Sequence, residues 1–72
     1  MARKDASVAR VTEIICSSSK SFEDAIQRGI GRATKTLKNV RGAWVKDMSL
    51  KVDGREITSY RVNLHVTFVL ED

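Results

Sequence analysis

Apolar residues along this chain change period twice, and the two changes divide it into four elements. From Val8 to Cys16 the segment VARVTEIIC is rich in β-branched residues and partly alternates, which predicts a strand running into the serines Ser17, Ser18 and Ser19. Phe22, Ala25, Ile26, Gly29, Ile30, Ala33 and Leu37 then recur at the spacing of one helical face. Ser21 stands where a hydroxyl accepts from first-turn amides, and Glu23 and Asp24 put negative charge at the positive end of the helix dipole. Asp24, Arg28, Arg32 and Lys35 take the opposite, solvated face. Gly29 falls on the inward stripe, where it costs about 1 kcal/mol relative to alanine. Its missing side chain lets the helix approach a sheet closely.

After the helix the period returns to two. Asp53-Gly54 predicts a two-residue type I′ turn with positive φ at both central positions. Pairing outward from it sets Val52 opposite Arg55, Leu50 opposite Ile57, Asp47 opposite Tyr60, Val45 opposite Val62 and Ala43 opposite Leu64. Tyr60, Val62, Leu64, Val66, Phe68 and Leu70 then face the helix with Ala43 and Val45. Trp44, Lys46, Met48 and Leu50 go to the other face, with Ile57, Ser59, Arg61, Asn63, His65 and Thr67. Chain direction makes the last strand antiparallel to both others and places it between them. The expectation is an α+β fold, a β-α-β-β protomer whose three-stranded antiparallel sheet has the order 2-3-1 and packs on one helix. Residues 1–7 read as a flexible N-terminus and 8–72 as a single domain.

Length makes the uncovered sheet face consequential. A chain of 72 residues buries only about 60% of the surface it exposes when unfolded. Apolar groups on a face without a helix would form a patch of a few hundred Å², a size that marks a partner or ligand surface. Self-association is the expected cover. No apolar run approaches the roughly 20 residues of a membrane-spanning helix, and none reads as a signal peptide. Cys16 is the single cysteine, so no intrachain disulfide forms, and a cytoplasmic location is expected.

Candidate chemistry is sparse. There is no glycine-rich phosphate loop, nucleophile elbow or carboxylate dyad, so binding rather than catalysis is expected. His65 has no second histidine or cysteine pair at ligand spacing and reads as a surface or interface residue. Cys16 reads as a small buried hydrophobe. The net charge of +4 and the Arg28, Arg32, Lys35 stripe raise nucleic acid as a partner. The stripe also holds Asp24 and lacks interleaved aromatics, which favours a solvated face.

The stretches VTEIICSSSKSFEDAIQRGIGRATKTLKNV and YRVNLHVTFVLED, with the ungapped hairpin between them, resemble the dodecin family over nearly the whole chain from Arg10 onward. The family's pattern is a strand, a serine-rich turn, an S-[FW]-E-x-A helix opening and a closing strand of the form Y-x-V-x-[LV]-x-[VL]-x-F. The resemblance implies a hollow homododecamer that stores or buffers flavins, riboflavin or FMN, stacked between tryptophans and held at the ring edge by a glutamine. It places Gly42 at the stacking tryptophan and Arg61 at the glutamine, and it carries Asp47 over as an acidic position near the pocket. A divergent branch with both departures is associated with a divalent cation, and calcium binding or a carrier-shell role is the alternative it implies. Trp44 faces the same way as Gly42, with Cα atoms about 6.6 Å apart, and either stacks on a ligand displaced along the strand or packs in a subunit interface. Lys46 accompanies it. The candidate ligand-binding set is therefore Gly42, Trp44, Lys46, Asp47 and Arg61. Glu13, Asp47 and the terminal Glu71-Asp72 could gather around a cation only through symmetry.

Overall fold

The computed structural model describes residues 7–70 and contains β1 (Ala9–Ser18), α1 (Phe22–Thr36), β2 (Val40–Asp53) and β3 (Glu56–Val69). Residues 1–6 of the expected flexible N-terminus, and Glu71-Asp72, lie outside the described residues. The sheet order is β1-β3-β2 with both pairings antiparallel, as the chain directions require. β1 continues to Ser18, two residues beyond the predicted end.

Local chemistry starts the helix where the sequence signals lie. Ser21 is extended (φ −172°), and its Oγ accepts from the Asp24 N–H at 2.9 Å. The Asp24 carboxylate accepts from the Ser18 hydroxyl at 2.5 Å and from Arg28 Nε at 2.8 Å, tying the end of β1 to the first helical turn. At the other end Asn39 takes a left-handed φ of 62° and turns the chain toward β2. Asparagine tolerates that region better than most residues.

Packing joins α1 to β1 and β3. Ala25, Ala33, Val62, Leu64 and Val66 are the buried apolar residues, with Ile14, Cys16, Phe22, Ile26, Ile30, Leu37 and Val40 packed around them. Gly29 makes the close approach the sequence suggests: a Cβ there would lie 2.7 Å from Cys16 Sγ. Tyr60 meets Phe22 edge-on, with ring centroids 5.2 Å apart.

The hairpin differs from expectation in its turn, its register and its faces. Asp53 remains in the ladder opposite Glu56, and Gly54-Arg55 are the turn residues. Gly54 alone has positive φ there, at 65°, the pattern of a type II′ turn with glycine first. The register moves accordingly, to Leu50 opposite Tyr60, Met48 opposite Val62, Val45 opposite Leu64 and Ala43 opposite Val66. Irregularities leave Arg41 and Lys46 as extra residues on β2 and Thr58 as an extra residue on β3. Each extra residue reverses the alternation beyond it. Met48 and Leu50, placed on the helix-free face by simple alternation, therefore lie on the helix side, and Ile57 joins them opposite Val52. Asp47 moves the other way, to sit opposite Asn63 on the helix-free face.

The hairpin also outruns the rest of the molecule. β1 pairs with β3 only as far as Tyr60, so residues 51–59 project as an arm. The molecule measures 60 × 20 × 14 Å with a radius of gyration of 15.4 Å, against about 11 Å for a compact domain of this length. No helix among the described residues is long and apolar enough to cross a membrane.

Candidate functional site

The helix-free face of the sheet is a grid of cross-strand rows. Val11, Thr67 and Gly42 form one row, followed by Glu13, His65 and Trp44, then Ile15, Asn63 and Asp47, then Ser17, Arg61 and Ser49. Directly opposite residues have Cβ atoms about 5 Å apart, so the side chains of each row touch or nearly touch. Four of the five sequence-predicted residues, Gly42, Trp44, Asp47 and Arg61, lie on this face. The bulge at Lys46 is what brings Asp47 there, since uninterrupted alternation would send it to the helix side. Lys46, the bulged residue itself, lies close enough for its charge to act on Glu13.

Trp44 is the centre of the face. Its indole lies 4.9 Å from the His65 imidazole at an interplanar angle of 59°, and 49% of the residue remains exposed. One side of the ring is supported and the rest is open. Beyond it, the strand at Gly42 leaves space: an added Cβ would meet only Thr67 Oγ1, at an ordinary contact of 3.5 Å. Thr67 Oγ1 donates to the Gly42 carbonyl at 3.1 Å and holds the two strands together at this level.

Polar groups line the neighbouring rows. Glu13 accepts from Asn63 Nδ2, and its Oε2 lies 3.7 Å from His65 Nε2. The Asn63 hydrogen bond above all, helped by the Lys46 charge and by His65, holds the Glu13 carboxyl below its ordinary range. Asn63 Oδ1 and His65 Nε2 are shut off from solvent and have no hydrogen-bond partner. Polar atoms in that condition cost free energy unless a ligand or partner satisfies them. Arg61 borders a shallow pocket of about 270 Å³ that it shares with Ser49, Lys51 and Ser59. Two cations and two hydroxyls make this pocket suitable for an anionic group.

Glu13 and Asn63 are the site-forming residues that sequence reasoning did not include in the ligand set, and His65, read as a surface or interface histidine, buttresses the tryptophan. A signal for Glu13 existed. It stands between Val11 and Ile15 on an otherwise apolar stripe of β1, both of which are exposed on this face. Cys16 faces the opposite way, donates to the Val62 carbonyl at 3.5 Å, and its thiol is pushed up by burial. Among the described residues no group of three or more histidine, cysteine, aspartate or glutamate side chains is assembled for a metal.

The family model described as Dodecin matches residues 8–71. The calcium dodecin of Mycobacterium tuberculosis is 34% identical over 62 residues, covering 86% of this chain and 87% of that protein. Its crystal structure, described as that of a calcium-chelating antigen with a calcium-binding site, superposes with a TM-score of 0.77 at 33% identity, over 90% of this chain and 93% of that one. A variant of the Thermus thermophilus dodecin superposes with a TM-score of 0.87 at 31% identity, over 93% of this chain and 100% of that one. The dodecin of Streptomyces davaonensis gives a TM-score of 0.86 at 30% identity, over 92% of this chain and 97% of that one.

Proposed function

The chain belongs to the dodecin family, and on that premise we propose that it is a sequestering protein that binds a flavin, riboflavin or FMN, on the helix-free face of a homo-oligomeric shell, without catalysing a reaction. The observation that carries this reading is the half-exposed Trp44 indole, propped by His65 beside the open space at Gly42. A ring system laid over that space stacks on the free indole surface. Stacking of this kind is worth about 1–3 kcal/mol per ring. Arg61 donates only, so it serves carbonyl oxygens of the isoalloxazine, or, with Lys51, Ser49 and Ser59, the FMN phosphate. Val11 and Ile15, exposed on the same face, are covered by a second copy in a dodecameric assembly. The lone free cysteine suits the reducing cytoplasm.

The calcium dodecin relative supports a second reading, in which the face takes a divalent cation. Glu13 and Asp47 provide carboxylate oxygens in adjacent rows. A calcium ion takes 6–8 oxygens, so this reading requires symmetry-related copies to complete the shell.

Titration of riboflavin and FMN, followed by quenching of flavin fluorescence and repeated with Trp44→Ala, tests the primary reading. Micromolar or tighter quenching that weakens at least about tenfold in the variant is expected. Absence of quenching in the unmodified protein, with heat evolved on calcium addition in calorimetry, replaces flavin by the cation.

A further inference from the structure

Trp44 has little lateral support on its own strand. The residue before it on this face is Gly42, which offers no side chain, and the one after it, Asp47, lies beyond the bulge at Lys46. An indole left open in this way exchanges among rotamers unless a neighbour holds it. The group that meets it is the imidazole across the ladder, at a centroid distance of 4.9 Å, inside the range of favourable ring pairs. That imidazole is itself enclosed. Its neighbours along β3 on this face are Asn63 and Thr67, and both are committed, Asn63 Nδ2 to Glu13 Oε2 and Thr67 Oγ1 to the Gly42 carbonyl. On the remaining side Glu13 Oε2 stands 3.7 Å from His65 Nε2, and only 21% of the His65 side chain is exposed. We propose that Glu13 and His65 are positioning residues for ligand binding: Glu13, anchored by Asn63, fixes the imidazole, and the imidazole fixes the Trp44 indole in the orientation that receives a planar ring. The inference rests on the flavin reading above and names the residues that make its stacking surface rigid.

Glu13, His65 and Trp44 stand on β1, β3 and β2 in a single row, so restraint passes straight across the sheet. The Asn63 bond uses Glu13 Oε2, the same oxygen that faces His65 Nε2, and therefore pins the carboxylate where it confronts the ring. A carboxylate in that place favours the tautomer that carries its proton on Nε2 and sets the ring's orientation. At 3.7 Å the attraction is that of a charge for a dipole rather than a hydrogen bond. Nε2 is shut off from solvent and has no hydrogen-bond partner, so no water competes with Glu13 for that proton. Because the imidazole occupies one side of the indole, an incoming ring has the other. An indole already held still spares the ligand the cost of ordering it, which is worth roughly two- to tenfold in affinity. Neither Glu13 nor His65 needs to touch the ligand, since both act through Trp44.

The chain has one tryptophan, so the indole band in near-ultraviolet circular dichroism of the ligand-free protein reports Trp44 alone. Riboflavin titration by fluorescence quenching reads affinity on the same samples. His65→Ala and Glu13→Ala are each expected to diminish the indole band and to raise the riboflavin dissociation constant by roughly two- to tenfold. His65→Phe keeps a ring against the indole but has no nitrogen to face the carboxylate, so adding Glu13→Ala to it changes neither the band nor the affinity further. A Glu13 with a merely structural role acts equally in both backgrounds, and that result overturns the positioning role. An indole band unaltered in both His65→Ala and Glu13→Ala overturns it as well. If the unmodified protein does not quench riboflavin, the flavin reading falls, while the ligand-free spectra of the same variants still decide whether Glu13 holds Trp44 through His65.

Discussion

Gly29→Ala adds one methyl group at the tightest point between helix and sheet. The new Cβ would lie 2.7 Å from Cys16 Sγ, 3.1 Å from Cys16 Cβ and 3.3 Å from Leu64 Cδ1. Cys16 is tethered in the sheet opposite Val62, and Leu64 is buried, so neither can clear the space without moving a neighbour. Overpacking of this kind costs about 1–3 kcal/mol. The substitution also gains about 1 kcal/mol of helix propensity. Gly31→Ala isolates that gain, because a Cβ at Gly31 meets nothing within 4 Å. The propensity term cancels between the two variants, and their difference is the overpacking cost alone. Thermal unfolding followed by circular dichroism, at one protein concentration because assembly couples to the midpoint, reads the difference. At about 4–8 °C per kcal/mol for a domain of this size, Gly29→Ala melts at least about 4 °C below Gly31→Ala. Adding Cys16→Ala to Gly29→Ala recovers part of the gap. A Gly29→Ala midpoint equal to or above that of Gly31→Ala would refute the close approach.

Other outcomes follow from the same contacts. Gly42→Trp supplies a second flat surface where an added Cβ meets only Thr67 Oγ1 at 3.5 Å, and it is expected to tighten riboflavin binding about tenfold or more in a quenching titration; unchanged affinity would mean that the ligand does not reach this row. Ser21→Ala removes the acceptor for the Asp24 amide and costs about 1 kcal/mol, a midpoint drop of about 4–8 °C. Glu13 and Asp24 are both held below their ordinary values of 4.5 and 3.8, Glu13 chiefly by Asn63 and Asp24 chiefly by the Ser18 hydroxyl and then Arg28. A lowered carboxyl stabilises the native state above its unfolded pKa, and that contribution disappears as pH falls through the folded one. Stability should therefore decline from about pH 4.5 downward, and Glu13→Gln should flatten the first part of the decline in melts taken between pH 6 and pH 3.

The helix and the central strand were legible because their signals are local and uninterrupted. Ser21, Asp24 and the stripe from Phe22 to Leu37 define α1 without reference to anything distant. The alternation of Val62, Leu64 and Val66 survives intact because no bulge interrupts β3 between Tyr60 and Phe68. The β2 register was not legible in the same way. Pairing from a two-residue turn assumes one residue opposite one, and the extra residues at Arg41, Lys46 and Thr58 break that count. A trace of the break is present in the sequence: apolar residues occupy odd positions at Ala43 and Val45, then even ones at Met48, Leu50 and Val52. The phase slips between Val45 and Met48, where the structure places the bulge. Trp44 and Gly42 fall on the expected face because the register at their level is displaced by two residues, which preserves the face, and Arg61 does so because it lies on the uninterrupted part of β3. The Glu13–Asn63–His65 cluster was missed because it joins residues some 50 positions apart through a pairing that β1 alone does not announce.

The extra residue at Lys46 gives one strand two separate allegiances. Upstream of it, Gly42 and Trp44 show themselves to whatever lies over the open sheet, while downstream Met48, Leu50 and Val52 turn to the reverse side. Substitutions that alter the surface offered by Gly42 and Trp44 can accumulate in the first half without disturbing the helix-side contacts of the second. Deleting that one residue would abolish this independence, since the downstream half would roll over and present its oily side chains on the open face.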